Sequence, residues 1–187
     1  MIRAGAGFFY DRSGPAPIWD ILRFNGVRLR RYVISNPPAS AAAVDALLPS
    51  LAASIARLEP GAELPQVFQF SAGFERQLAR KTTLAVNYVG TRGWYQLRSR
   101  DANAPLPPSF AARPDPAVNV LRMIESASRL EGNALEVTVR GTLGPKVTGL
   151  AQYAFGRTLT DTGGVNWFPA NSFDPRGEWG RTDADRR

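Results

Sequence analysis

The chemistry open to this sequence is narrow, because it contains neither cysteine nor histidine. Thiol nucleophiles, disulfides, the common zinc sites and every triad that needs an imidazole base are therefore excluded. Carboxylates remain, and residues 158–187 contain a cluster of them: Asp161, Asp174, Glu178, Asp183 and Asp185. Paired carboxylates serve glycoside hydrolysis or bind calcium. However, their spacing matches no calcium loop, and DTGG at 161–164 has neither the apolar frame nor the second copy of a protease motif. We expect no catalytic residues, no metal and no cofactor.

The chain is basic, with 23 Lys and Arg against 16 Asp and Glu, a net charge of +7 and a pI of about 10.5. A nucleic-acid surface needs basic residues concentrated on one element with stacking aromatics between them. Here the arginines are scattered, and only 28-RLRR-31 forms a run. We therefore expect no nucleic-acid partner.

The dominant pattern is an alternation of apolar and polar residues with period two, which predicts β-strands. It is strong in five segments: 2–11, 66–77, 82–93, 134–142 and 147–157. The short connectors 78-LARK-81 and 143-LGPK-146 predict two hairpins. A weaker alternating stretch covers residues 19–34.

The remaining connections are long. In residues 35–65, six apolar residues at helical spacing predict a short amphipathic helix that bends near Pro49. They are Val44, Leu47, Leu48, Leu51, Ile55 and Leu58. Residues 94–130 and 158–187 are rich in Pro or in Gly, Asp, Asn and Arg, and they are predicted to be loops.

Short turns on one rim, long loops on the other and strands of about ten residues are the plan of an outer-membrane barrel. A soluble antiparallel sandwich alternates in the same way, so periodicity alone leaves both folds open. No apolar run is long enough for a membrane-spanning helix. The N-terminal residues carry Arg3 and glycines where an export signal has its apolar core, so we expect no signal in this chain.

A resemblance to a known family favours the barrel. It is carried by five segments in order: 3-RAGAGFFYDR-12, 73-GFERQLARKTTLAVNYVGTRG-93, 98-RSRDANAPLP-107, 133-NALEVTVRGTLGPKVTGLAQYAFGRTLTD-161 and 168-FPANSFDPRGEWGRTDADRR-187. Together they resemble the β-barrel of TonB-dependent outer-membrane receptors, in particular the Oar-like branch with an N-terminal carboxypeptidase-regulatory-like domain. The run from 73 to 107 is the most specific of them.

The expected fold is all-β: an antiparallel up-and-down sheet of about five strands, an unclosed part of a transmembrane β-barrel, with a short helix in the first long loop. The resemblance implies that residues 1–187 are one partial barrel domain, without plug or signal, from a longer receptor in the cell outer membrane. Implied partners are outer-membrane lipid and lipopolysaccharide, the rest of the barrel and the plug, and the energy-coupling TonB protein through an upstream segment.

The expected function is ligand uptake or surface binding by that receptor, and the alternative is a soluble β-rich module that binds carbohydrate or polyanions. No ligand-binding residues are known from the resemblance. Candidates for ligand contact are the loop aromatics Trp94, Tyr95, Trp167, Phe168 and Trp179. Candidates for contact with lipopolysaccharide phosphates are Arg92, Arg98, Arg100 and Arg176.

Overall fold

The computed structural model describes residues 1–11, 14–143, 147–182 and 185. In this part of the chain, seven strands form one sheet in the order β1-β3-β4-β5-β6-β7, and β2 also pairs with β5. The strands are β1 (Ile2–Tyr10), β2 (Ala53–Leu58), β3 (Gln66–Ala79), β4 (Thr82–Asp101), β5 (Val118–Leu143), β6 (Val147–Thr160) and β7 (Gly180–Arg181). The helices are α1 (Pro15–Arg23) and α2 (Ala41–Leu47), with 3₁₀ turns at Leu48–Ser50 and Pro175–Glu178.

The five long strands, β1, β3, β4, β5 and β6, pair as antiparallel neighbours. They contain four of the five segments that the alternation predicts, and β1 ends one residue before the end of the fifth, 2–11. The sheet they form is not closed. The predicted fold class, a mostly antiparallel open sheet with short helices, is confirmed. No helix in the described residues is long and apolar enough to cross a membrane.

One face of the sheet is apolar and exposed. The paired register brings together Ile2, Phe8, Phe68, Phe70, Phe74, Val86, Tyr88, Leu135, Val137, Tyr153 and Phe155. Large side chains on this face stay open, with Phe8 61 % and Tyr153 62 % exposed. Among the described residues, the only buried hydrophobic side chains are Ile55, Ala56 and Ile124. The apolar face is therefore shaped to meet an apolar surrounding rather than a protein core.

Aromatic rings form a chain across three strands of this face. The ring centroids of Phe8 and Phe68 lie 4.8 Å apart, and those of Phe70 and Tyr88 lie 6.1 Å apart. The Phe70 ring covers Gly90 on the next strand, where an added Cβ would come within 2.1 Å of the ring. A glycine is needed there because the ring lies flat against the neighbouring backbone.

β4 and β5 are longer than predicted. Residues 94–101 continue β4, and β5 begins at Val118. The expected loop over 94–130 is therefore wrong in its extent, and only residues 102–117 connect the two strands. Proline cannot donate to a central ladder. The prolines of this segment, Pro105, Pro107, Pro108, Pro114 and Pro116, all fall between the two strand ends.

The first long connection departs most from expectation. Residues 19–34 do not form a strand: α1 begins at Pro15, whose fixed φ suits the first helical turn, and only Arg31 bridges to Ser54. A short helix is confirmed at α2, which Ser40 caps and which gives way to the 3₁₀ turn at Pro49.

The predicted helical stripe does not continue past that turn, because residues 53–58 are strand β2. β2 runs parallel to the first residues of β5, on the side where β6 has already ended. Ile55 and Ala56 are buried there. Long-range pairing therefore overrides the helical spacing of Leu51, Ile55 and Leu58.

Of the two predicted hairpin turns, the first, 78-LARK-81, lies within the residues that the structure describes. Ala79 pairs with Thr82, so Arg80 and Lys81 form a two-residue turn. The other turn, 143-LGPK-146, lies mainly outside the described residues, although Leu143 is registered opposite Val147.

Gly141 offers a test of the close packing beside the first turn. Its φ is +154°, and an added Cβ would lie 2.1 Å from the carbonyl oxygen of Lys81. We expect Gly141→Ala to lower the free energy of unfolding by about 2 kcal/mol. Urea unfolding in detergent micelles, followed by tryptophan fluorescence, measures it.

Gly149 is the matched control, because it pairs with Gly141 across the sheet and has no atom within 4 Å of an added Cβ. Gly149→Ala should change the unfolding free energy little. Equal losses in the two variants would contradict the close contact at Gly141.

Candidate functional site

The polar chemistry of the molecule lies beyond the apolar face. At about 3.3 Å per residue, the 20 residues of β4 and the 26 of β5 extend over roughly 66 and 86 Å. The apolar face ends on β4 at Arg92, so the last nine residues of this strand, Gly93 to Asp101, lie past it. Among the described residues, the buried charges lie on this extension, on the first residues of β5 and directly after β6.

A buried ion-pair cluster joins β4, β5 and the end of β6. Arg98 Nε donates to Glu125 Oε1 at 2.7 Å, and its Nη1 donates to Asp161 Oδ2 at 3.2 Å. Arg100 Nε donates to the other oxygen of Glu125 at 2.7 Å, and the Ser128 hydroxyl donates to Asp161. Two cations thus meet two anions. We call these five residues the rim cluster.

Four members of the rim cluster are deeply buried: the side chains of Arg98, Glu125 and Asp161 are 8 %, 6 % and 5 % exposed, and Ser128 is 0 % exposed. The side chain of Arg100 is 34 % exposed. Burial acts to raise the pKa of Glu125, but hydrogen bonds from Arg100 and Arg98, together with their charges, outweigh it and hold the pKa below its ordinary value. The carboxylate therefore stays ionised, and the cluster is neutral as a whole.

Two β-bulges place Arg98 opposite Glu125. The register shifts between Gly93 and Gln96, where Tyr95 has a φ of 57°, and again between Gln96 and Arg98. The first shift adds a residue to β4 and the second adds one to β5, so the two strands regain their original offset at Arg98–Glu125. Bulges redirect side chains. Here they end the regular alternation of the sheet directly before the charged pair.

A second polar cluster closes the loop over residues 102–117. Arg113 Nη1 donates to Asp101 Oδ2 at 2.6 Å, and Leu121 N donates to Asp101 Oδ1 at 3.0 Å. Asn103 is 3 % exposed; its amide donates to the carbonyls of Asp115 and Val118, and its Oδ1 accepts from Asp115 N. The asparagine of the NAPLP segment therefore holds the loop closed and does not face a ligand.

A third set of contacts holds the first connection against the sheet. Asp20 of α1 accepts from Arg122 of β5 at 3.0 Å and pairs with Arg31 at 3.6 Å. The Arg31 guanidinium lies 3.8 Å from the centre of the Phe24 ring. Arg122 also lies over Phe168, at 5.5 Å. Charged and aromatic contacts thus add to the small buried apolar group of Ile55, Ala56 and Ile124 in positioning this rim.

A cleft of about 480 Å³ opens beside the rim cluster. Trp167 and Phe168 line one part of it, and Arg98, Glu178 and Arg181 line another. The segment above it is tied to β4, because the Ser99 hydroxyl donates to the carbonyl of Val165. Aromatic surface beside a few fixed polar groups is the usual composition of a ligand pocket.

The structure separates the aromatic candidates into two groups. Trp167 and Phe168 share the cleft beside the rim cluster, while Trp94 and Trp179 line a smaller cleft of about 210 Å³ with Arg92. Tyr95 lies in the bulge of β4.

The arginine candidates also differ. Arg98 and Arg100 are bound to Glu125, so they are not free to meet phosphate. Arg92 pairs with Glu131 beside the apolar face, and Arg176 is exposed in the second 3₁₀ turn.

The acidic candidates are not brought together. Asp161 belongs to the rim cluster, Asp174 caps a 3₁₀ turn and Glu178 accepts from the backbone of Ala170. Asp185 pairs with Arg181, and Asp183 lies outside the described residues. Within the described ranges, no three acidic side chains are grouped so that they could hold a metal ion.

Sequence reasoning missed Glu125, Ser128 and Asn103, which lie in segments predicted to be loops. The available signal was the charge pattern: the Arg-Ser-Arg-Asp run at 98–101 would have suggested partners of opposite sign on the facing strand.

The rim cluster predicts a large cost for removing one partner. Asp161→Ala would leave the buried Arg98 with one of its two ion-pair partners. We therefore expect the free energy of unfolding to fall by about 3–5 kcal/mol and the segment that covers the cleft to open. Hydrogen exchange of residues 162–179 measures the opening. Glu75→Ala is the control, because its pair with Arg3 is exposed and should matter little. Equal exchange in both variants would contradict a structural role for the cluster.

The lowered pKa of Glu125 predicts the effect of acid. Its contribution to stability is complete above the unfolded pKa, about 4.3, and is lost as the pH falls through the lower folded value. Exchange of residues 122–128, corrected for its intrinsic pH dependence, should thus be constant from pH 8 to 5 and rise only below about pH 4. Glu125→Gln should expose the segment already at neutral pH. A transition near pH 6 would contradict this assignment.

The comparisons with known proteins agree with this architecture. The whole chain, residues 1–187, matches the family described as the outer membrane beta barrel domain. No curated protein and no solved structure matches the chain. The family assignment points to the outer membrane, and it accounts for an exposed apolar sheet face with polar chemistry beyond one end. This chain belongs to the outer membrane beta barrel domain family.

Proposed function

We propose that residues 1–187 form part of the wall of an outer-membrane receptor or transporter of the TonB-dependent type, whose long loops bind a ligand at the cell surface. The observation that carries the proposal is the exposed apolar face, which ends where the buried polar clusters begin. A wall with one lipid-facing band and one elaborated rim is suited to holding a binding site above the membrane.

The dimensions support a membrane-crossing role. On β3 and β4, the apolar face lies between Arg76 and Arg92, and Arg76 is registered opposite Leu84. Leu84 to Arg92 is nine residues of β4. This length suits a transmembrane β-strand, because a strand tilted by about 45° needs about 9–11 residues to cross the membrane.

The orientation follows from the loops. In bacterial outer-membrane barrels the short turns face the periplasm and the long loops face outward. The Arg80–Lys81 turn would then lie inside, and the rim cluster with its cleft would face the medium. Trp167 and Phe168 would meet a ligand with stacking surface, such as a sugar or a peptide.

The edges of the sheet require partners. Within the described residues, β1 pairs on one side only, and β6 has a second neighbour only at Leu159 and Thr160. Unpaired backbone groups in lipid cost several kcal/mol each. We propose that further strands of the same barrel pair with these edges, and that a plug domain engages TonB for uptake.

We do not propose catalysis: among the described residues of the acidic cluster, Asp161, Asp174, Glu178 and Asp185 are all engaged in structural contacts. The exposed apolar face gives no support to the alternative of a soluble binding module.

Binding without transport differs from uptake in its energy requirement. Ligand accumulation by intact cells should stop when the TonB protein is removed, while surface binding should persist.

Single cysteines test the orientation, because the natural sequence has none. In cells that produce the protein, Ala112→Cys in the loop over residues 102–117 should react with a membrane-impermeant maleimide. Lys81→Cys in the short turn should react only after the outer membrane is permeabilised. Mass spectrometry of the labelled protein measures both.

Two alanines of β6 provide the matched control. Ala151 shares the apolar face and Ala154 the opposite face. Cysteine at 151 should resist the aqueous reagent in permeabilised cells, and cysteine at 154 should react more. Equal labelling of all four variants in intact cells, or recovery of the protein in the soluble fraction, would overturn the proposed function.

A further inference from the structure

Three arginines surround the outer boundary of the apolar face. Arg92 of β4 is registered opposite Glu131 of β5, and Arg157 of β6 is registered opposite Asn133, two residues further along β5. Arg129 lies two residues from Glu131 in the other direction. The span from Arg129 to Asn133 is about 13 Å along the strand. We call Arg92, Arg129 and Arg157 the arginine group.

The charge of this group is not balanced. Glu131 pairs with Arg92 at 3.3 Å. Arg129 and Arg157 are exposed, and their side chains make no ion pair within the described residues. One acid against three arginines leaves an excess of about two positive charges next to a surface made of Tyr88, Leu135 and Phe155.

One member of the group, Arg92, is also held in position. Arg92 Nη1 donates to the carbonyls of Thr91 at 2.9 Å and Gly132 at 3.2 Å, and Tyr88 Oη donates to Asn133 Oδ1 at 2.7 Å. The smaller cleft, of about 210 Å³, lies here and is lined by Arg92 and Arg129 together with Trp94 and Trp179. Tryptophan is enriched where a barrel meets lipid headgroups.

Resting on the proposed function, we propose that the arginine group binds the phosphate of a phosphorylated lipid in the outer leaflet. The guanidinium groups of Arg129 and Arg157 would pair with phosphate oxygens in the fork geometry that favours arginine, and Arg92, which Glu131 already binds, would add its charge beside them. The acyl chains would then lie on the apolar face directly below. A soluble polyanion would gain nothing from that adjacent apolar surface, and therefore a lipid is the occupant we infer.

The test is a titration of the full chain, extracted in mild detergent, with diphosphorylated lipid A. Native mass spectrometry counts the bound lipid. The double variant Arg129→Gln/Arg157→Gln breaks no ion pair of the described residues, and it should weaken lipid A binding about tenfold or more. Phosphatidylcholine should bind equally to the natural protein and to the double variant.

Two controls define the result. Arg140→Gln/Arg3→Gln removes the same charge from the opposite face of the sheet and should leave lipid A binding unchanged. Millimolar inorganic phosphate should not displace lipid A. Equal weakening by the two double variants would overturn the inference in favour of general charge attraction, and displacement by phosphate would overturn it in favour of a soluble anion site.

The inference can fail separately from the proposed function. Correct labelling of Ala112→Cys and Lys81→Cys, without any lipid A preference, would refute the arginine group alone. Unchanged circular dichroism of both double variants confirms that they fold.

Discussion

The antiparallel ladder between β4 and β5 is the constraint on which the rest of the molecule depends. It runs from Thr82–Gly141 to Asp101–Arg122 and is interrupted only by the two compensating bulges. In lipid, every backbone donor and acceptor must find a partner within the protein, so strands must pair continuously. Beyond the lipid, the same ladder serves as a scaffold. The apolar face, the rim cluster and the loop over residues 102–117 all take their positions from it.

Polarity is distributed in the opposite way to a soluble domain. Phe8 and Tyr153 are exposed, whereas Arg98, Glu125 and Asp161 are buried. Apolar side chains in the band have lipid as their solvent, so exposure costs them nothing. The rim is surrounded by water but has little apolar material with which to build a core. It is ordered instead by ion pairs whose desolvation is offset by short, complete hydrogen bonding.

The small number of apolar side chains at the rim also explains why polar contacts order the loops. Long connections are ordered only when enough contacts compensate their conformational entropy. Here Asn103 and Asp101 fix one loop through the backbone, and Asp20 fixes the first connection through two arginines. β2 adds a strand beside β5 where β6 has ended. A rigid rim of this kind can hold Trp167 and Phe168 in fixed positions, as a surface binding site requires.

The sequence by itself determined the strands that face lipid, because period-two alternation is local and its apolar face needs no particular partner. The segments 66–77 and 147–157 were predictable for this reason. Tertiary structure alone decided the rest. β2 became a strand through pairing with β5, against the helical spacing of its apolar residues. Likewise, Arg98, Glu125 and Asp161 are 27 and 36 residues apart along the chain: the bulged β4–β5 ladder brings Arg98 to Glu125, and the β5–β6 pairing brings in Asp161. Pairing between segments that are far apart in the chain produces no periodic pattern in the sequence of either segment.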